Sequence, residues 1–310
     1  MQQIIILCPV YNDEACFNLF AAQLSEQLKQ LPGYQFSLLV VNDGSLKKFS
    51  LALTIPARII HLHRNLGHQK AIAIGLSYAS QNLPFDKIIV MDADGEDKPE
   101  DVQLLLQASE QTDTIIVAHR ASRQNGKQFK GFYLIYKFIF RLLTGRKISF
   151  GNFMVLAKED VSRLVYTNEI WNHLAGAIVK SKIPFATVAI HRGKRYIGES
   201  KMNFTALLLH GLGAIGVFIE VIATRLLIFS IVMIGISLIA ILIIITIKLF
   251  TNAAIPGWAT TAFSSMLIVL LQSCLLSLFT IFLYLSSQSQ RQFIPANHYM
   301  DYVALVEEEL

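Results

Sequence analysis

The sequence predicts an α/β fold built on a mostly parallel sheet, followed by interfacial helices and two transmembrane helices. Three observations carry this reading. Short apolar runs rich in β-branched residues alternate with helical patterns as far as Ala118, the mark of consecutive βαβ units. Several of those runs stop at turns rich in Asp, Asn and Gly. The 310 residues have a mean hydropathy of +0.47 with only 16% charged residues, too apolar for an ordinary soluble enzyme, and the excess lies after Arg225.

In chain order, Ile4–Cys8 is a first buried strand, ending at Pro9-Val10-Tyr11-Asn12-Asp13-Glu14. A helix follows over about 14–29, with Phe17, Phe20, Leu24 and Leu28 at helical spacing. Phe36–Val41 is a second strand, stopped by Asn42-Asp43-Gly44-Ser45, and Ile59–Leu62 a short third, followed by Arg64-Asn65-Leu66-Gly67. The small residues Ala71, Ala73, Gly75 and Ala79 let the helix over 69–80 pack closely on a sheet. Lys87–Met91 reads as a buried central strand, a helix opens near Pro99, and Thr114–Ala118 is another strand.

The central strand ends in Asp92-Ala93-Asp94-Gly95-Glu96-Asp97. If the extended backbone persists there, the two carboxylates of Asp92 and Asp94 point the same way. Hard oxygen ligands at a strand's carboxyl edge suit Mg²⁺ or Mn²⁺ shared with a diphosphate. A lone Asp-x-Asp is more often a solvated loop. Three turns meeting at one edge of a sheet weigh against that, because ligands of open α/β sheets bind there. No Gly-x-Gly-x-x-Gly follows the first strand and no P-loop is present, so dinucleotide-binding and P-loop readings fail. The spacing of His61, His63 and His68 matches no common zinc pattern. Cys8, Cys16 and Cys274 are too few and scattered for a disulfide framework.

Leu226–Ile247 and about 258–285 are uncharged runs long enough to cross a bilayer, separated by Ala254-Ile255-Pro256-Gly257. Lys and Arg crowd the N-terminal part, while the short connecting loop carries only Lys248, so both termini are expected on the cytoplasmic side. The first apolar run is short and broken by Pro9, so no signal peptide is expected. The expected organisation is a cytoplasmic domain over 1–202 with an interfacial helix near 129–143, juxtamembrane helices over 203–225, a two-helix hairpin over 226–285 and a cytoplasmic tail over 286–310. The protein is thus expected at the cytoplasmic membrane. Its net charge of +5 suits anionic lipid and anionic substrates but discriminates little; no nucleic-acid partner is expected, and a homo-oligomer is compatible with the sequence.

Taken in order, Cys8-Pro9-Val10-Tyr11-Asn12-Asp13-Glu14, Val41-Asn42-Asp43-Gly44-Ser45, Arg64-Asn65-Leu66-Gly67 and Asp92-Ala93-Asp94 resemble the successive signatures of family 2 inverting glycosyltransferases of the GT-A fold. Together with His119-Arg120-Ala121-Ser122-Arg123, Arg195-Tyr196-Ile197-Gly198-Glu199-Ser200-Lys201 and two C-terminal membrane helices, they resemble the polyisoprenyl-phosphate branch, such as bactoprenol glucosyltransferases and dolichol-phosphate mannose synthases. The resemblance implies transfer of one sugar, with inversion, from a nucleotide diphosphate, uridine being the expected base, to a polyprenyl phosphate. Pro9, Tyr11, Glu14 and Asp43 would then hold the nucleoside. Asp92 and Asp94 would bind the metal–diphosphate, with Glu96 where relatives carry a Gln ligand. Arg195, Ser200 and Lys201 would close over the diphosphate. Arg120, Arg123 and Lys130 would grip the acceptor phosphate, unless they are interface cations.

One departure stands out. Many relatives carry an Asp in a segment like Asp-Thr-Gly-Asp-Phe, where this chain has Ser149-Phe150-Gly151-Asn152-Phe153. Serine is no general base at neutral pH, whereas a phosphate acceptor is already largely ionised and needs none. A lipid-phosphate acceptor fits that loss; a hydroxyl acceptor on a lipid or glycan, or a subunit that binds nucleotide sugar without turnover, stay open. A processive synthase fits poorly, since no Gln-x-x-Arg-Trp element is present.

Overall fold

The structure, a computed structural model, describes residues 1–46, 55–120, 127–148, 150–198, 204–250, 257–289 and 293–309. Its elements alternate from the start: β1 (Gln2–Val10), α1 (Glu14–Leu28), β2 (Tyr34–Asn42), β3 (Ala57–Leu62), α2 (His68–Asn82), β4 (Lys87–Val90), α3 (Asp101–Glu110) and β5 (Ile115–Arg120). There follow α4 (Lys127–Thr144), β6 (Met154–Ala157), α5 (Lys158–Leu164), a 3₁₀ turn at Glu169–Trp171, α6 (Leu174–Lys180) and β7 (Phe185–Ile190). The chain ends with α7 (Phe204–Gly216), α8 (Ile219–Phe250), α9 (Trp258–Ser289), α10 (Pro295–His298) and β8 (Val303–Glu309).

Eight strands form one sheet in the order β7-β5-β6-β4-β1-β2-β3-β8. The β1–β2, β1–β4, β2–β3 and β5–β7 pairs are parallel. β6 enters antiparallel between β4 and β5, and β8 pairs antiparallel with β3 at the edge. Both faces are covered. Ile5 and Leu7 pack with α2, α5 and α6 on one side, while Ile4, Ile6 and Cys8 pack with α1 and α3 on the other. Burial on both faces explains why the strands read as continuous apolar runs rather than alternations. α2 fits closest, since a Cβ on Gly75 would lie 2.4 Å from a Leu7 methyl.

Two compact units emerge. Residues 1–137, 147–217 and 292–310 make the α/β unit; 138–146 and 218–291 make the helical one. The last residues, expected from sequence as a tail without assigned chemistry, thus belong to the α/β unit. In the helical unit α8 and α9 are both long and apolar enough to cross a membrane. Large apolar side chains along them stand exposed, Leu242, Phe250, Leu275 and Phe282 at 65%, 80%, 66% and 66%. A soluble protein would bury such helices, so this surface calls for lipid.

Candidate active site

Five loops meet at the carboxyl edge of the sheet, four of them following β1, β2, β3 and β4. After β1 the chain turns through Asn12, whose φ of 49° is left-handed. Asn12 N–H donates to Ser45 Oγ at 2.9 Å, and its Oδ1 accepts from Leu46 N–H at 3.0 Å, clasping the first turn to the one after β2. Within that second turn Asn42 Oδ1 accepts from Ser45 N–H at 3.0 Å. Gly44 has a φ of +69°, and a Cβ there would sit 2.4 Å from the Arg64 backbone, so the second and third turns touch main chain to main chain.

Asp43 is 3% exposed and spans the same gap. Its Oδ1 accepts from Leu66 N–H at 2.7 Å and its Oδ2 from Gly67 N–H at 2.9 Å. Burial raises its pKa, and these two N–H groups partly oppose the rise. The carboxylate that sequence assigns to the nucleoside therefore also positions the Arg64–Gly67 loop at the start of α2.

β4 stops at Val90, so the extended backbone does not persist through Asp92 and Asp94; the pair sits in a turn and its carboxylates diverge in their contacts. Asp92 N–H donates to Oδ2 of the fully buried Asp97 at 3.0 Å, and Asp92 Oδ1 lies 3.2 Å from His68 Nε2. His68 Nε2 also meets Asn152 Nδ2 at 3.0 Å. Asp94 Oδ1 accepts from Glu96 N–H at 2.9 Å, while Oδ2 accepts from Arg195 Nη1 at 3.0 Å. Burial, then the charge of Asp92, raise the Asp94 pKa above the usual carboxylate value.

The fifth loop, 191–198, lies against this turn. Gly193 N–H donates to Glu96 O at 2.9 Å and Tyr196 N–H to Asp94 O at 3.0 Å. A Cβ on Gly193 would fall 2.1 Å from Gly95 O, so only glycine permits the contact. Arg192 pairs with the Glu96 carboxylate, and Arg195 bridges Asp94 and Asp13. A cavity of about 310 Å³, bounded by Gly95, Lys98, Lys194 and Tyr196 among others, adjoins the same contact.

The structure thus brings Asp43, Asp92, Asp94 and Arg195 into one loop cluster, with Pro9 on β1 level with Val41 and Tyr11 39% exposed beside them. Glu14 opens α1. Glu96 is near in sequence, but its carboxylate is engaged by Arg192. Arg123, Ser149, Ser200 and Lys201 lie outside the described residues, as do the side chains of Arg120 and Lys130. Sequence reasoning passed over Asp13, Asp97, Arg192 and Asn152 as site residues. Asp13, Asp97 and Asn152 lie inside the motifs read from sequence, so position alone could have flagged them; Arg192 lies outside them.

The family model described as Glycosyl transferase family 2 matches residues 5–158. The uncharacterized glycosyltransferase YkcC of Bacillus subtilis (strain 168) is 28% identical over 83% of this chain and 81% of its own length. The undecaprenyl-phosphate 4-deoxy-4-formamido-L-arabinose transferase of Photorhabdus laumondii is 26% identical over 67% of this chain, the alignment spanning 65% of that protein. Among solved structures, glucosyl-3-phosphoglycerate synthase from Mycobacterium tuberculosis, in complex with Mn²⁺, uridine diphosphate and phosphoglyceric acid, superposes with a TM-score of 0.50. That match has 12% identity and covers 71% of this chain and 78% of that one.

Proposed function

Residues 5–158 are a Glycosyl transferase family 2 domain on a GT-A fold, and from that premise we propose a membrane-bound transferase that moves one sugar from a uridine diphosphate donor to a polyprenyl phosphate. The observation that carries this reading is the Asp94–Arg195 pair inside the cluster of sheet-edge loops. It sets a carboxylate and a guanidinium at the carboxyl edge of β4, the charges a diphosphate needs.

Asp92 and Asp94 offer oxygen donors only, which fits Mg²⁺ or Mn²⁺. Glu96 does not fit as a ligand while Arg192 holds it. Among the described residues no group of three or more His, Cys, Asp or Glu could hold a metal, so donor oxygens would share the ion with the two aspartates. When bound, such an ion neutralises charge that develops on the departing diphosphate. Asp43 and the clasped turns hold the nucleoside end. Arg195 transfers its grip from Asp94 to the diphosphate when donor enters, with Ser200 and Lys201 following it in the chain. An ionised oxygen of the acceptor phosphate attacks the anomeric carbon from the face opposite the leaving diphosphate. The new C–O bond forms as the old one breaks, with inversion and no proton to remove, which accords with Ser149 in place of a carboxylate.

The acceptor is lipid-borne on three grounds. The Photorhabdus relative carries undecaprenyl phosphate in its name. α8 and α9 suit a bilayer. On α4, Leu134, Ile135, Phe138, Ile139 and Leu142 stand 41–68% exposed, the apolar stripe of a helix lying in a membrane interface. Arg120, Arg123 and Lys130 flank that helix's start in the chain and are assigned to the acceptor phosphate. That β8 follows both apolar helices yet pairs with β3 supports one side of the membrane for the domain and this strand, and the Lys/Arg distribution favours the cytoplasmic side.

The test is incubation of the purified full chain with polyprenyl phosphate, Mg²⁺ or Mn²⁺ and a panel of nucleotide sugars, followed by mass spectrometry of the lipid. A sugar-1-phosphate-linked lipid is expected. Glycosylation of a lipid alcohol instead would move the assignment to a hydroxyl acceptor, and donor binding without transfer would mark a non-catalytic subunit.

A further inference from the structure

The segment beyond the two apolar helices reaches the candidate site through a chain of hydrogen-bonded side chains. Asn42, 4% exposed, immediately precedes Asp43. Because its Oδ1 accepts from Ser45 N–H, its Nδ2 is turned to His61 Nδ1, 3.0 Å away. An amide NH₂ can only donate, so Nδ1 of His61 is the accepting nitrogen and the ring proton sits on Nε2. Nε2 lies 3.3 Å from Glu307 Oε2 on β8, a carboxylate that can only accept. Every link has one donor and one acceptor, and the chain runs in one direction from Ser45 to Glu307.

β8 is delivered to this place by contacts that do not involve His61's ring. His63 N–H donates to Tyr302 O at 3.1 Å, and the β3–β8 register runs from Leu62↔Val303 to Ala57↔Glu309. Asn82 Nδ2 donates to Tyr299 Oη at 2.8 Å and Gln81 Nε2 to Ala296 O at 2.7 Å, while Tyr299 is 4% exposed against α2. Strand alternation puts the neighbouring Glu308 on the other face, where it pairs with Arg58 at 2.5 Å.

Resting on the donor-binding reading above, we infer that Glu307 is a positioning residue for the donor nucleotide: through His61 it holds Asn42, and with it the Asn42–Ser45 turn that carries Asp43. The chain's last strand is then part of the donor site rather than a tail. Neither Glu307 nor His61 touches the reacting atoms in this scheme; both act on the turn.

The experiment uses the full chain in detergent with uridine diphosphate and Mn²⁺ as the probe, read by calorimetry, alongside donor KM and kcat in the lipid transfer assay. Glu307→Ala is expected to weaken uridine diphosphate binding and raise donor KM about tenfold, the loss expected when one part-buried acceptor is withdrawn, with kcat within about twofold. Glu307→Gln keeps an acceptor oxygen and is expected to stay within about threefold of the wild type. Glu308→Ala, which removes the other ion pair of the same strand, is expected to leave both constants unchanged. Wild-type binding by Glu307→Ala, or an equal loss in Glu308→Ala, overturns the inference while leaving the donor reading standing. Failure of the wild type itself to bind uridine diphosphate removes the donor reading and this inference together.

Discussion

Gly193→Ala tests whether loop 191–198 positions the diphosphate machinery. The added Cβ would lie 2.1 Å from Gly95 O and 3.1 Å from the Lys98 side chain. The lysine can swing away, but the carbonyl belongs to the turn between Asp94 and Glu96. A carbon–oxygen contact tolerates no less than about 3 Å, so the two backbones must part by about 1 Å. The shift falls where Gly193 N–H meets Glu96 O, and it carries Arg192 and Arg195 away from Glu96 and Asp94. Misplacement of a positioning group by that distance costs on the order of 10²-fold in rate, about 2.7 kcal/mol. Transfer of labelled sugar to polyprenyl phosphate, with uridine diphosphate binding in parallel, reads the effect. Gly33→Ala is the control, since nothing lies within 4 Å of its Cβ. Transfer by Gly193→Ala at a rate within about twofold of the wild type would refute the claim that this contact sets the loop.

Asp94→Ala should abolish transfer, a fall of about 10³-fold or more given the several kcal/mol that a bound cation supplies, while the protein still floats with liposomes. Arg195→Ala should bind Mn²⁺ about tenfold more tightly without nucleotide, because the guanidinium no longer competes for Asp94, yet transfer more slowly; titration followed by electron paramagnetic resonance measures it. Asp43→Asn turns an NH₂ toward one of the two backbone N–H groups it now serves, and should cost roughly 2–4 kcal/mol in denaturant unfolding of the α/β unit along with weaker uridine diphosphate binding. Lower pH should weaken Mn²⁺ binding sooner than for an ordinary carboxylate pair: the raised Asp94 pKa means its proton returns at higher pH, and calorimetry across pH follows the loss.

The alternation of strands and helices through β5, the two long apolar helices and the turns at which β1, β2 and β4 end are all legible in the residues. Those features are local: apolar periodicity over a dozen residues, and Gly, Asn and Asp where the backbone must turn. Tertiary structure alone decided which groups meet. Arg195 and Asp94 are 101 residues apart and His61 and Glu307 are 246, so no spacing rule relates them. β6 gives few local cues in four residues, and β8 ends in three glutamates that read as a solvated tail. Its strand forms because β3 presents an open edge of backbone N–H and C=O groups, and pairing with that edge outweighs what the acidic sequence prefers alone. Likewise Asp92 and Asp94 stand two residues apart in the sequence, but the end of β4 at Val90 and the approach of loop 191–198 send one carboxylate to His68 and the other to Arg195.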